Sequence, residues 1–141
     1  MAPTAQDGDH IMADLLAYRG KPPQRGDVIL ERQENPQPGM AMKRVIAVGG
    51  DEIRGDSEGV WLNGKLLNEP YVLKGADGKP VWGPPFDRVQ VPADSVFIMG
   101  DNRDNSYDSR HYGSIAAGRV FARALYIYWS RDHSRIGQEI H

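Results

Sequence analysis

The 141-residue chain contains no cysteine, which excludes disulfides, thiolate zinc sites and cysteine nucleophiles together. That absence gives no compartment, because a disulfide-free domain works on either side of a membrane. No apolar run approaches the ~20 residues needed to span a bilayer. Met1 to Asp9 shows no basic stretch leading into an apolar one, so it is not a signal peptide. Neither sign of charge is in excess: 17 Lys and Arg stand against 19 Asp and Glu, a net charge of −2. Broad electrostatic attraction to nucleic acid or to an anionic membrane is therefore not indicated. His10, His111, His133 and His141 are scattered, without the spacing of a zinc site or of a Ser-His-Asp triad. There is no internal repeat and no low-complexity tract, and no metal or organic cofactor is implied.

Glycine and proline are plentiful, 16 and 10 residues spread along the chain. Breakers at this spacing between short apolar runs predict an all-β architecture in one domain. Asp27 to Glu31 and Ala41 to Val48 read as strands, the second closed by Gly49-Gly50-Asp51. Val60-Trp61-Leu62, Asn63-Gly64 and Lys65-Leu66-Leu67 read as a hairpin, since a type I′ turn needs positive φ at both central residues. Lys74 to Phe86 is rich in Gly and Pro and reads as an excursion from the core. Arg88 to Val91, Ser95 to Met99 and Gly118 to Trp129 complete the strand candidates, the last chosen over helix for its Val, Phe, Tyr, Ile and Trp. Trp61, Trp82 and Trp129 are assigned to packing, with Trp82 to Phe86 an alternative membrane contact.

The most informative stretch is Gly100 to Arg110, GDNRDNSYDSR. Such a run is often only a solvated loop. Here, however, acids and arginines alternate around Ser106, a pattern suited to local pairing. A calcium loop is disfavoured, because the sixth and twelfth places from Asp101 hold Ser106 and Tyr112 where an EF-hand requires Gly and Glu.

This stretch resembles the GDNRDNSxDSR box of type I signal peptidases, and three further boxes stand in that family's order. Met1-Ala2-Pro3-Thr4 with Gly8-Asp9 is similar to SMxPTL…GD without its first residue. Arg25-Gly26-Asp27-Val28-Ile29 resembles RGDIVV, and Lys43-Arg44-Val45-Ile46 through Gly49-Gly50-Asp51 resembles KRVIGLPGD. The resemblance covers nearly the whole chain. It implies a fold of coiled antiparallel sheets, the type shared with self-cleaving repressors, with a smaller excursion at about residues 55–85. It also implies a membrane-anchored serine–lysine endopeptidase that removes signal peptides from exported preproteins outside the cytoplasm.

In the same way, Lys43 is implied as the general base and Ser106 as the serine that orients it. Strand alternation puts Ala41, Lys43, Val45 and Ala47 on one face, small apolar neighbours of the kind a neutral lysine requires. By residue type alone, Lys43 reads more readily as a surface lysine on an edge strand and Ser106 reads also as a turn serine, and the family boxes reverse that for Lys43. Asp108 with Arg110, and Asp101 with Arg44, are implied as supporting ion pairs. Met1, Ala2, Ala5, Ile11, Leu30, Ala41 and Met42 are implied as the walls of the substrate groove. Two departures matter. The family's nucleophilic serine would precede Met1, so the chain as written is expected to be inactive, with any membrane anchor further upstream. Ala41 stands where relatives often have Tyr. A related serine–lysine protease and a peptide-binding module without a nucleophile remain as alternatives. Having lost its neighbour, Met1 to Ala5 is expected to be displaced or mobile.

Overall fold

The computed structural model describes residues 1–33 and 39–141. Two antiparallel sheets organise the chain. The larger has six strands in the order β1-β10-β2-β3-β8-β9 and the smaller four in the order β6-β5-β4-β7. The large sheet is built from β1 (His10–Asp14), β2 (Val28–Gln33), β3 (Gly39–Val48), β8 (Ser95–Met99), β9 (Ile115–Ala116) and β10 (Val120–Trp129). The small sheet holds β4 (Glu52–Asp56), β5 (Gly59–Leu62), β6 (Lys65–Leu66) and β7 (Phe86–Gln90). One short helix, α1 (Ser109–Tyr112), follows the polar loop.

The hairpin forms as its Asn-Gly pair dictates: Asn63 and Gly64 have φ of 50° and 78° between β5 and β6. β3 links the sheets, and its two faces feed different cores. Val45 joins Ile29, Val96, Ile98, Ile115 and Val120, whereas Ile46 and Ala47 join Ile53, Val60, Leu62, Val91 and Phe97 beneath the small sheet. A register shift against β8 between Val45 and Ala47 lets two consecutive residues serve one core. A third cluster gathers Val28, Ala124, Ile127 and Ile140, with Met1, Ile11 and Met42 packed against it.

Two strands escape the sequence pattern. β1 (HIMAD) and β4 (EIRGD) are short, and each contains residues poor in strand preference. Gly55 looks like a breaker in sequence but lies inside β4. A Cβ there would come within 2.3 Å of the Phe86 ring, so the aromatic packs where a side chain would be. The second sheet consequently starts at Glu52 and ends at Gln90, wider than the expected excursion. Trp129, assigned to packing, is instead exposed at the C-terminal end of β10, in edge-to-face contact with the His10 ring.

The expectation of a displaced chain start is overturned. Ala5 N–H donates to the Met1 carbonyl at 3.1 Å, and Arg135 donates to the Pro3 and Thr4 carbonyls at 3.3 and 3.1 Å. Thr4 Oγ1 donates to Asp101, and Ala5 is buried. These bonds tie the segment to the β10 end and to the polar loop, so no upstream neighbour is needed to hold it.

Candidate active site

β3 changes partner along its length, with β2 along its first half and β8 along its second, the two meeting only at Arg44. β2 pairs with it from Gly39 to Arg44, while β8 begins pairing only at Arg44. Gly39 to Lys43 therefore keep a free edge on the β8 side among the described residues. Lys43 stands at the point where that free edge closes.

The polar loop after β8 brings Ser106 to it: Lys43 Nζ donates to Ser106 Oγ at 3.1 Å. Gly100 permits the approach, since a Cβ at that position would lie 2.4 Å from Ser106 Oγ. Asp108 holds the loop from within. It accepts from Gly100 N–H at 3.0 Å and from Arg110 Nε and Nη2 at 2.8 and 2.9 Å. Arg110 Nη2 also donates to the Ser106 carbonyl at 3.4 Å. Ser109 Oγ accepts from Ile98 N–H at 3.0 Å, stitching the loop to its parent strand.

Burial pushes the Lys43 amine below the ordinary lysine range, because the ammonium form loses hydration. The charges of Asp108 and Glu31 oppose that shift, and Arg110 adds to it. Lys43 is half-buried, not fully enclosed, and has no carboxylate at ion-pair distance among the described residues. Burial works to raise the Asp108 carboxyl, but the bonds and charge of Arg110 outweigh it and hold it below the usual range.

Arg44, next along β3, meets a different environment. Its guanidinium bonds Asp101 through Nε at 2.9 Å and Nη2 at 2.8 Å, both side chains fully buried. Nη1 donates to the Gly26 carbonyl at 3.1 Å, and the Tyr71 ring lies 3.8 Å from the guanidinium carbon.

The expected groove residues divide between two faces. Met1, Ile11 and Met42 meet against the third core cluster, Leu30 sits opposite Met42 across β2 and β3, and Ala5 is buried in the chain-start turn. Ala2 is half-buried in that same turn. Ala41 lies on the Lys43 face, opposite Glu31. The Met1 amino group is pushed below its ordinary value, first by burial and then by the Lys43 charge, which places the chain start in the field of that amine.

Local pairing within the loop holds for Asp108 with Arg110 but not for Arg103. Arg103 donates to Glu69 at 3.0 and 2.6 Å, and to the Gly100 carbonyl at 3.0 Å. Glu69 also accepts from Tyr71 O–H at 2.8 Å. Glu69-Pro70-Tyr71, from the connection between β6 and β7, thus braces both the loop and Arg44. Nothing local in sequence marks this tripeptide, because its partners lie 34 residues away and on β3.

The geometry is thus an antiparallel two-sheet fold with a desolvated amine at an open strand edge. The family model described as "Signal peptidase, peptidase S26" matches residues 1–129, and the chain belongs to that family. It is 35% identical over 136 residues to signal peptidase I of Leptolyngbya laminosa, covering 92% of this chain and 64% of that one. It is 34% identical over 137 residues to a probable signal peptidase I of Synechocystis sp., covering 92% and 59% respectively. The chain thus spans about three fifths of the length of these two relatives. The crystal structure of a signal peptidase I from Enterococcus faecalis superposes with a TM-score of 0.59 at 25% identity, covering 71% of this chain and 94% of that one.

Proposed function

We propose that the chain carries the base and the substrate-docking strand of an endopeptidase that removes signal peptides by serine–lysine acyl transfer. The observation that carries this reading is the half-buried Lys43 amine, 3.1 Å from Ser106 Oγ, at the end of the open edge of β3. A serine hydroxyl is a poor nucleophile without an adjacent base, and an amine becomes one when burial favours its neutral form.

The nucleophilic serine is the residue that precedes Met1 in the longer protein. Met1 packs on the same core cluster as Met42, the residue before Lys43, which supports that placement. Lys43 takes the serine proton as the hydroxyl attacks the scissile carbonyl, then returns it to the departing amine. It next draws a proton from the water that releases the acyl group. Ser106 holds the lysine amine by its hydrogen bond, and the Asp108–Arg110 pair holds Ser106. The peptide docks as an added strand on Gly39 to Lys43, with main-chain hydrogen bonds for affinity and side-chain pockets for selection. Met1, Ala2, Ala5, Ile11, Leu30 and Met42 shape small apolar pockets for Ala at the first and third positions before the cut. The enzyme acts on exported preproteins at the outer side of the bacterial inner membrane, held there by a segment ahead of Met1.

The test is cleavage of an Ala-x-Ala peptide. The 141-residue chain alone should leave it intact, and the same chain preceded by a Ser-containing segment should cut it. Cleavage by the chain alone would make Ser106, the serine that Lys43 contacts, the nucleophile instead.

A further inference from the structure

We infer that a cavity on the Lys43 face of β3 is a side-chain subsite of the groove, built to take a carboxamide from the bound peptide. The inference rests on the reading of the β3 open edge as the docking strand.

The cavity measures about 160 Å³, and its polar lining comes from Glu31, Gln33, Tyr107, Tyr112, Ser114 and Arg119. Glu31 projects from β2 opposite Ala41, two residues along from Ile29, which sits opposite Lys43. Tyr107, Tyr112 and Ser114 come from the segment that follows Ser106. The cavity therefore lies between β2 and that segment, across β3 from the free edge, and a side chain of the added strand reaches it only over Ala41. Ala41, the smallest side chain after glycine, is all that β3 sets opposite Glu31.

Its polar groups are incompletely met. Glu31 is 1% exposed, and Tyr112 O–H donates to its Oε1 at 3.1 Å. Its Oε2 has no hydrogen-bond partner among the described residues, and neither has the buried Ser114 Oγ. Folded proteins rarely leave buried polar atoms unmet, and burial pushes the Glu31 carboxyl above its ordinary value. Water can satisfy such atoms, but the cavity reaches the half-exposed Tyr107, so a side chain arriving from solvent can displace it. The space suits a side chain entering from outside.

The chemistry of the lining selects its occupant. Glu31 Oε2 needs a donor, and the Ser114 hydroxyl can donate in return. Arg119 already gives Nη2 to the Arg32 carbonyl at 2.8 Å, yet its positive charge still faces the cavity and disfavours a second cation. A hydrocarbon side chain would leave both atoms unmet. A carboxamide supplies one donor and one acceptor from a single group. Alternation along an added strand then fixes its place. Residues one and three before the cut face Met42 and Leu30, so the residue between them faces Ala41 and Glu31. The preferred sequence is therefore Ala-Gln-Ala or Ala-Asn-Ala.

The experiment measures Kd by isothermal titration of the 141-residue chain with three capped peptides, Ala-Gln-Ala, Ala-Leu-Ala and Ala-Lys-Ala, in otherwise identical sequences. The Gln peptide should bind about tenfold more tightly than the Leu peptide, the worth of one hydrogen bond to a charged group. Glu31→Leu should bring that ratio to about one, and Ser114→Ala should reduce it. Ser114→Ala removes only an unbonded hydroxyl, so it keeps the question open to test if Glu31→Leu fails to fold. Equal binding of Gln and Leu peptides overturns the subsite and leaves the groove standing. So does a Gln preference that survives both variants. Tightest binding by the Lys peptide overturns the carboxamide assignment. If none of the three binds, the docking strand itself is wrong and the subsite falls with it.

Discussion

Lys43 and Arg44 are neighbours on β3, point to opposite faces, and are treated in opposite ways. Arg44 is enclosed with a carboxylate that matches its fork, a backbone carbonyl and an aromatic ring. Lys43 is partly stripped of water and offered a neutral hydroxyl. Full pairing fixes the Arg44 charge and makes it a structural fastener between β3 and the polar loop. Withholding a carboxylate from Lys43 leaves burial free to favour its neutral form. The lesson is that a site needing an uncharged amine can stand beside a buried ion pair, provided the strand's alternation keeps the two apart. Asp101 serves one face and Asp108 the other, both from a single eleven-residue loop.

The largest expected effect breaks the Lys43 side. In the protein carrying a serine ahead of Met1, Lys43→Ala should lower single-turnover cleavage by at least about 10³-fold, the upper part of the range for a lost general base. Lys43→Arg should be as damaging, because a guanidinium stays protonated. Both variants should retain the wild-type circular dichroism spectrum. Substantial cleavage by Lys43→Arg would remove the amine from the mechanism.

Arg44 should fail in a different way. Asp101→Asn or Arg44→Met leaves a buried charge without its partner and should cost about 3–5 kcal/mol of stability. Arg44→Met combined with Asp101→Leu should recover most of that in urea unfolding, since two apolar groups replace the pair. If the double variant is no better than the singles, the pair contributes through the Gly26 and Thr4 contacts and not through its charges.

How far this contrast was legible in sequence depends on the range of each interaction. Alternation put Lys43 with Ala41 and Val45 on one face, and the Asn63-Gly64 turn declared its hairpin, because both are local. The pairing of Lys43 with Ser106 and of Arg44 with Asp101 came only from the family boxes, since 63 and 57 residues separate the partners. Glu69 and Tyr71 were invisible because they sit in a connection with no periodic pattern. Glu31 was read merely as the end of a strand. Its burial against Tyr112 depends on α1, which the sequence did not announce. The order of the chain start was missed for the same reason: its anchors, Asp101 and Arg135, lie at the other end of the chain.

A smaller effect sharpens the contrast through pH. Cleavage by the serine-bearing protein should rise with pH through the titration of Lys43, below the ordinary lysine value of ~10.4. The Asp108 charge raises that titration, so Asp108→Asn should move the midpoint of the pH–rate profile downward, whatever it does to the maximal rate. An upward shift would mean that Asp108 acts on Lys43 by some route other than its charge. Arg44 variants should leave the midpoint in place, because Arg44 faces away from the amine.

The smallest effect concerns an ion pair remote from β3 that holds one wall of the proposed groove. Asp9 accepts from Arg135 Nη2 at 2.8 Å and from Ser130 Oγ at 2.7 Å, and the same guanidinium reaches the Pro3 and Thr4 carbonyls. Asp9 thereby sets the Arg135 fork that clamps Met1 to Thr4. The Arg135 hydrogen bonds are the main reason that the Asp9 carboxyl is lowered to about 2 from its ordinary 3.8. A carboxylate depressed on folding contributes stability that is present above its unfolded value and lost as pH falls through the folded one. Asp9→Asn should therefore unfold more easily than the parent at pH 6, by at least about 1 kcal/mol, since both side chains of the pair are largely buried. The gap should narrow as pH falls from about 4 and close only below 2, since at about 2 the parent carboxyl is half protonated. Thermal unfolding of both proteins at pH 6, 4 and 2 reads this directly. A gap that stays constant across the series would show that Asp9 acts through shape and hydrogen-bond geometry, with its charge immaterial. In that case an asparagine would not replace Asp9 as the partner of Arg135 at any pH, and the Arg135 clamp on Pro3 and Thr4 would be independent of pH down to the acid range.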